Sequence, residues 1–303
     1  MTNQPTRVAI VLNNTAGNGA ADAARAVIAP VFHEAGITAE FVMLSKGGDL
    51  AALVAGVIES GVNAIVAGGG DGTVNGVAAA VVGHDITFGV IPLGTLNHFA
   101  RDLGIPLDAA EAARVIVAGH TTAVDVAEVN GRVFLNNSSV GLYPRIVQLR
   151  ERYRARGLEK WIIAAWATLR VTRTSKPLRV QLDIADQRVS RTTPLVFIGN
   201  NEYRMAGFDA GSRESISAGQ LAIYIVATSS QAGFLRLTWR ILTGTAKGSG
   251  ELAMLRATEA TIDLPDELAV TQLSVALDGE IETLQLPLRY AIRPGALRVA
   301  VPG

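Results

Sequence analysis

The feature that most constrains this chain is an alternation. From Arg7 to Ala118, short β-branched runs take turns with stretches of helical spacing. Arg7–Leu12 reads as a strand. Ala21–Glu34 is helical, with Val27, Ile28, Val31 and Phe32 at helical spacing. Thr38–Leu44 is strand-like and Leu50–Glu59 helical; Asn63–Ala67 is strand-like and Thr73–Val82 helical. Ile86–Ile91 is a further strand, followed by helical patterns over Leu96–Leu103 and Asp108–Ala118. Strands that alternate with helices predict a parallel sheet covered by helices.

After Thr122 the texture changes. Ala127–Asn137, AEVNGRVFLNN, is two strand runs around Asn130-Gly131. That pair signals a hairpin, because both central turn positions need φ > 0. Arg145–Thr172 reads as a basic helical segment carrying Trp161 and Trp166. From Leu178 onward short strand-like runs dominate: LRVQLDI, TPLVFIG, LAIYIVA, ATIDL, LSVALDGEIETLQL and ALRVAVP, with one helical interruption at Ala232–Thr243. The fold expected is α/β plus all-β. A doubly wound α/β domain covers residues 1–124, and a mostly antiparallel β-sandwich domain covers 125–295. The final strand, near 296–303, is placed so that it can return to the first domain.

Composition narrows the chemistry. Of 303 residues, 49% are hydrophobic, enough for a sizeable core. No cysteine is present, which excludes disulfides, thiolate metal sites and a Cys nucleophile. The N-terminal apolar run, Val8–Leu12, is short of a secretory h-region, and the apolar stretch near Trp161–Leu169 is short of the ~18 residues that span a bilayer. These features point to a cytoplasmic protein. The zero net charge hides an asymmetry: residues 1–125 hold 5 basic and 11 acidic side chains, and residues 145–179 hold 10 basic and 2 acidic ones. The basic run is either a solvated face or an attraction to phosphates or an anionic membrane.

Ile65–Val77, IVAGGGDGTVNGV, joins a strand to a helix through glycines. Ligands bind beyond the carboxyl ends of strands in such sheets, and helix N-termini there offer unpaired N–H groups to anions. The loop fits neither the dinucleotide pattern nor the P-loop, since no Gly stands at the third required position and no GK[ST] follows. Asp71 would repel a bare phosphate. It can bind a cation through water, hold a ribose or backbone group, or cap a nearby helix. A second loop of this type, Gly89–Pro106, GVIPLGTLNHFARDLGIP, follows the next strand.

These two loops, GGDGTVN (Gly69–Asn75) and PLGTLNHFARDLGIP (Pro92–Pro106), resemble the catalytic domain of the diacylglycerol kinase and sphingosine kinase superfamily, with soluble bacterial lipid kinases the nearest likeness. The likeness continues through VNGRVFLNNSSVGL, VFIGNNEY and LDGE, so it covers nearly the whole chain. It implies ATP and Mg²⁺ as cofactors, with the α/β domain binding the nucleotide. Asn13 and Gly17 stand at the ends of the family's first nucleotide motif, and Ser45 falls near a nucleotide-touching threonine. Gly69, Gly70, Asp71, Gly72, Thr73 and Asn75 would cradle the phosphates, with Gly94, Thr95 and Asn97 contacting nucleotide from the second loop. Asp278 and Glu280 match the acidic pair that activates the lipid hydroxyl. Asp-Gly between two strand runs is also a hairpin turn, and the two readings are compatible.

Three positions depart from the family pattern. Gly76 stands where a Glu is usual, His98 where an Asp is usual, and Ala218 where the Asp of an Asp-Gly pair helps to bind a divalent ion. No metal ligands are therefore assigned. On the substrate side, the resemblance implies a lipid met at a membrane surface, with no nucleic acid. Arg150, Arg152, Arg154, Arg156 and Lys160 are the basic candidates for transient contact with the inner membrane. Trp161, Trp166, Phe234, Leu237 and Trp239 are either interfacial or core. The expected activity is transfer of the ATP γ-phosphate to a hydroxyl of a neutral lipid such as diacylglycerol. The alternatives are a kinase of a soluble acceptor such as NAD, and a regulator that binds nucleotide or lipid without catalysis.

Overall fold

The computed structural model describes residues 5–13, 20–45, 47–145, 177–184, 187–204, 212–227, 250–265 and 270–303, with isolated positions between 230 and 245. The chain forms two compact units. One comprises Met1–Val126 with Arg293–Gly303, and the other comprises Ala127–Ile292.

The first unit alternates as its sequence dictates: β1 (Arg7–Asn13), α1 (Ala20–Glu34), β2 (Thr38–Leu44), α2 (Leu50–Glu59), β3 (Ala64–Gly69), α3 (Asp71–Val81), β4 (Thr87–Pro92), α4 (His98–Asp102) and α5 (Ala109–Ala118). The sheet is parallel in the order β2-β1-β3-β4. Every residue of β3 and β4 is buried, which explains their near-continuous apolar runs: helices cover both faces. α1 packs with α5, and α2 with α3. Asp49 and Asp108 cap α2 and α5 by accepting backbone N–H groups of the first turn. The strand order reverses between β1 and β3. Such a switch point is where doubly wound sheets hold ligands.

The second unit is a sandwich of two mostly antiparallel sheets. The chain enters it along β5 (Thr121–Val129), most of which belongs to the first unit, and continues through β6 (Arg132–Phe134), β7 (Asn137–Gly141), β8 (Leu178–Ile184), β9 (Gln187–Thr193), β10 (Leu195–Asn200), β11 (Leu221–Val226), β12 (Leu252–Ala257), β13 (Glu259–Asp263), β14 (Gln272–Leu277), β15 (Glu280–Gln285) and β16 (Leu288–Ala300). One sheet runs β12-β11-β10-β7-β14-β15. In the other, β8 pairs β9 and β13, and β13 pairs the first half of β16. Phe134, Val140, Leu182, Ile198, Ile223, Ile262, Val275 and Tyr290 belong to a core cluster that both sheets bury. The second half of β16 lies in the first unit, where Val299 pairs with Phe88 of β4.

Both dipeptide hairpins form as the sequence predicts. Asn130 and Gly131 take φ of 48° and 78°, and Asp278 and Gly279 take 48° and 89°, the positive pair that a two-residue turn requires. Other elements differ from expectation. The polar run NSSVG is a central strand, β7, between β10 and β14. Its weak strand propensity is overridden because both backbone edges are paired and the Ser138 hydroxyl meets that of Tyr290 at 3.0 Å. β16 begins well before the expected Ala296. It passes Pro294 through a bulge-like step at Gly295, whose φ is +61° and whose N–H donates to the Asp125 carboxylate at 2.9 Å. α4 starts at His98 rather than Leu96, because Asn97 turns left-handed with φ 52°.

Candidate active site

The glycine loops sit at the carboxyl ends of β3 and β4 and are built as one piece. Gly70 is the extended residue before α3, and no side chain caps that helix, so its first-turn N–H groups remain available to an anion. A Cβ on Gly69 would lie 2.6 Å from that of Thr73. The Leu93 N–H donates to the Gly69 carbonyl at 2.9 Å. A Cβ on Gly94 would lie 2.5 Å from the Gly70 Cα. Glycine at 94 is therefore a matter of backbone meeting backbone, whereas glycine at 69 leaves room for the Thr73 side chain.

Asp71 does not cap its own helix. One carboxylate oxygen accepts the Asn97 N–H at 3.0 Å and the other accepts the His98 N–H at 2.8 Å. Asn97 is buried, and its carboxamide closes the second loop on itself, accepting from the Gly94 N–H at 3.0 Å and donating to the Gly94 carbonyl at 2.9 Å. Asn97 is thus committed to its own loop rather than turned outward. Thr95 is exposed at the loop tip. At the end of β1, the Asn13 amide donates to the Thr73 hydroxyl at 2.8 Å, linking that strand to the start of α3 at the switch point. Ser45 lies exposed in a turn after β2, where its carbonyl accepts the Gly48 N–H. Asn75 lies on α3, and its Oδ1 is enclosed without a hydrogen-bond donor among the described residues. Gly72 is exposed, and Gly17 lies outside the described residues.

The acidic pair occupies the β14–β15 hairpin. Asp278 reaches back to the segment ahead of β7. Its oxygens accept the backbone N–H groups of Leu135 at 2.8 Å, Asn136 at 2.9 Å and Asn137 at 2.8 Å. The Asp278 N–H returns a bond to the Asn137 carbonyl at 2.9 Å. The Leu135 carbonyl is itself held by Asn200 Nδ2 at 2.8 Å and by the buried Arg213 guanidinium at 2.7 Å. Burial pushes the Asp278 carboxyl up to about 6, against the pull of the three N–H groups and of Arg213. Glu280 opens β15 with its side chain exposed. Residues 135–137 and Asn200 lie in stretches that carry the family likeness and Arg213 lies in none, and nothing in the sequence marks any of them as surrounding Asp278.

The three departures acquire structural settings. A Cβ on Gly76 would lie 2.5 Å from Leu50 Cδ2, so α2 fills the space where the family carries Glu. His98 is exposed, with its N–H on Asp71. Ala218-Gly219 precedes β11. Among the described residues no group of three His, Asp or Glu side chains gathers to hold a metal. Glycine loops and an uncapped helix fit nucleotide phosphates. A divalent ion here would take most of its ligands from those phosphates and from water.

Of the proposed membrane residues, Leu237 is buried against Val226, which makes it core, whereas Trp239 is 67% exposed. Arg150, Arg152, Arg154, Arg156, Lys160, Trp161, Trp166 and Phe234 lie outside the described residues. Among the described residues no helix is long and apolar enough to cross a membrane.

Paired glycine loops on a doubly wound sheet, followed by a sandwich that presents an anchored acidic hairpin, are the parts of a phosphotransferase. Comparison with known proteins narrows the class. The diacylglycerol kinase catalytic domain matches residues 7–129, and the "YegS C-terminal NAD kinase beta sandwich-like domain" matches residues 139–301. A diacylglycerol kinase of Mycobacterium tuberculosis is 29% identical over 98% of this chain and 95% of its own length. A Pseudomonas aeruginosa protein described as "Probable lipid kinase YegS-like" is 30% identical over 85% of this chain and 82% of its own. A crystal structure of a diacylglycerol kinase from Bacillus anthracis, 22% identical, shares the fold with a TM-score of 0.73 over 99% of this chain and 98% of that one. The chain belongs to the diacylglycerol kinase and YegS-like lipid kinase family.

Proposed function

We propose that this protein is an ATP- and Mg²⁺-dependent lipid kinase that transfers the γ-phosphate to a hydroxyl of a neutral lipid such as diacylglycerol. The observation that carries this reading is the pair of fused glycine loops in a chain of this family. Gly69–Thr73 and Gly94–Thr95 hold the nucleotide phosphates against the uncapped N-terminus of α3. The bond from Asn13 to Thr73 ties the end of β1 to the start of α3 beneath them. A bound Mg²⁺ supplies neutralisation of the charge on the phosphates.

The acidic hairpin divides its labour. Asp278 spends its oxygens on three backbone N–H groups, so it sets the hairpin's position. Glu280, exposed beside it, takes the proton from the lipid hydroxyl as that oxygen bonds to the γ-phosphorus and ADP departs. The exposed Trp239 supports a cytoplasmic enzyme that docks transiently on the inner membrane, since indole favours the interface.

The test is transfer of label from γ-labelled ATP into diacylglycerol, monoacylglycerol, ceramide, sphingosine, phosphatidylglycerol and NAD, with Mg²⁺ present or chelated. Label in a neutral lipid that requires Mg²⁺ and disappears in Glu280→Gln is the expected result. Label in NAD alone would move the acceptor to a soluble molecule. ATP binding with no labelled product would move the protein to the non-catalytic class.

A further inference from the structure

We propose that Asp71 is a positioning residue: its carboxylate latches the second glycine loop onto the first, so that Thr95 is presented to the nucleotide before any ligand arrives. The inference rests on the reading that both loops serve the nucleotide. It differs from a role for Asp71 as a cation ligand.

Four observations converge. Both Asp71 oxygens receive backbone N–H groups, from Asn97 and His98, in the same short stretch. Those two amides stand at the start of α4, where N–H groups have no partner within the helix. The carboxylate supplies the missing acceptors with its charge at the favourable end of the peptide dipoles. Asn97 holds a left-handed conformation, φ 52° and ψ 46°, and is over-determined there by two side-chain bonds to Gly94. The loops also touch backbone to backbone at Gly70 and Gly94, and Leu93 bonds Gly69. A carboxylate whose oxygens are both taken up in this way has its orientation set by the protein. The exposed Thr95 and Leu96 ride on the loop it secures.

The experiment measures amide hydrogen exchange at Asn97 and His98 in the ligand-free wild type, Asp71→Asn and Asp71→Ala. Titration with ADP follows, with and without Mg²⁺. In Asp71→Ala both amides are expected to lose protection by roughly tenfold or more, the equivalent of one charge-assisted hydrogen bond each. Asp71→Asn keeps one acceptor oxygen and turns a donor toward the other amide, so one of the two amides loses protection. Exchange in β3 and β4 stays as in the wild type, which shows that the variants are folded. ADP affinity falls with or without Mg²⁺. Wild-type protection of both amides in Asp71→Ala would overturn the latch, as would a loss of affinity seen only when Mg²⁺ is present. The exchange measurement uses no substrate, so it decides the latch even if the lipid acceptor proves to be something else.

Discussion

The Cα atom of Gly70 and the position a Cβ would take on Gly94 are 2.5 Å apart. No rotamer change relieves such an overlap, because the backbone fixes where a Cβ stands and the atom it meets is backbone. Gly94→Ala must therefore separate the glycine loops. It is expected to cost about 1–3 kcal/mol of stability, measured by denaturant unfolding, and to lower kcat/KM for ATP more than tenfold, to the extent that roughly 1.4 kcal/mol of nucleotide positioning is lost. Gly83→Ala serves as the comparison, since a Cβ there meets nothing within 4 Å, although its φ of +90° strains the backbone alone.

Thr73 supplies the hydroxyl that joins Asn13 to the start of α3. Thr73→Val keeps the shape and removes the acceptor, leaving the Asn13 amide short of one bond. The expected loss is about 1 kcal/mol, with weaker binding of ADP in calorimetry. Thr73→Ser keeps the hydroxyl and should stay near wild type in both measurements.

Gly76 invites a restoration experiment. Its missing side chain is matched by Leu50, whose Cδ2 stands 2.5 Å from where a Cβ would be. Gly76→Glu is therefore expected to destabilise rather than to recover a lost ligand. Because Leu50 meets the glycine with the end of a flexible side chain, Gly76→Ala combined with Leu50→Ala should be more stable than the sum of the single changes implies. Thermal unfolding of the four proteins of the cycle checks the coupling.

Asp278 makes stability depend on pH with a definite sign. Its carboxyl is raised from 3.8 to about 6 in the folded protein, so between those values the folded state holds the proton more often than the unfolded chain does. Stability from this group therefore falls as pH rises from about 4 through about 6, by about 2–3 kcal/mol in total. Unfolding free energies of wild type and Asp278→Asn should differ more in favour of wild type at pH 4.5 than at pH 7.5. A gap that stays constant across that range would remove Asp278 as the source.

Much of this architecture is legible in the residues because it is local. Alternating strand and helix patterns place β1 to β4 and their helices to within a few residues. The dipeptides Asn130-Gly131 and Asp278-Gly279 announce hairpins because few other pairs accept two positive φ angles. The glycine loops are visible for a different reason: at Gly94 a Cβ would have no room against the backbone of Gly70. β7 was not legible as a strand, since NSSVG has no apolar alternation and becomes one only when β10 and β14 flank it.

The sequence by itself determined most of the strands, the hairpin turns and the glycine loops, because backbone conformation answers largely to nearest neighbours. Only the tertiary structure decided what the two prominent aspartates hold. Asp71 meets amides 26 and 27 residues away, and Asp278 meets amides 141 to 143 residues away. A carboxylate carries no mark of its partner in the chain. Its bonds are chosen when folding brings an unpaired N–H within reach and excludes the water that would otherwise satisfy it.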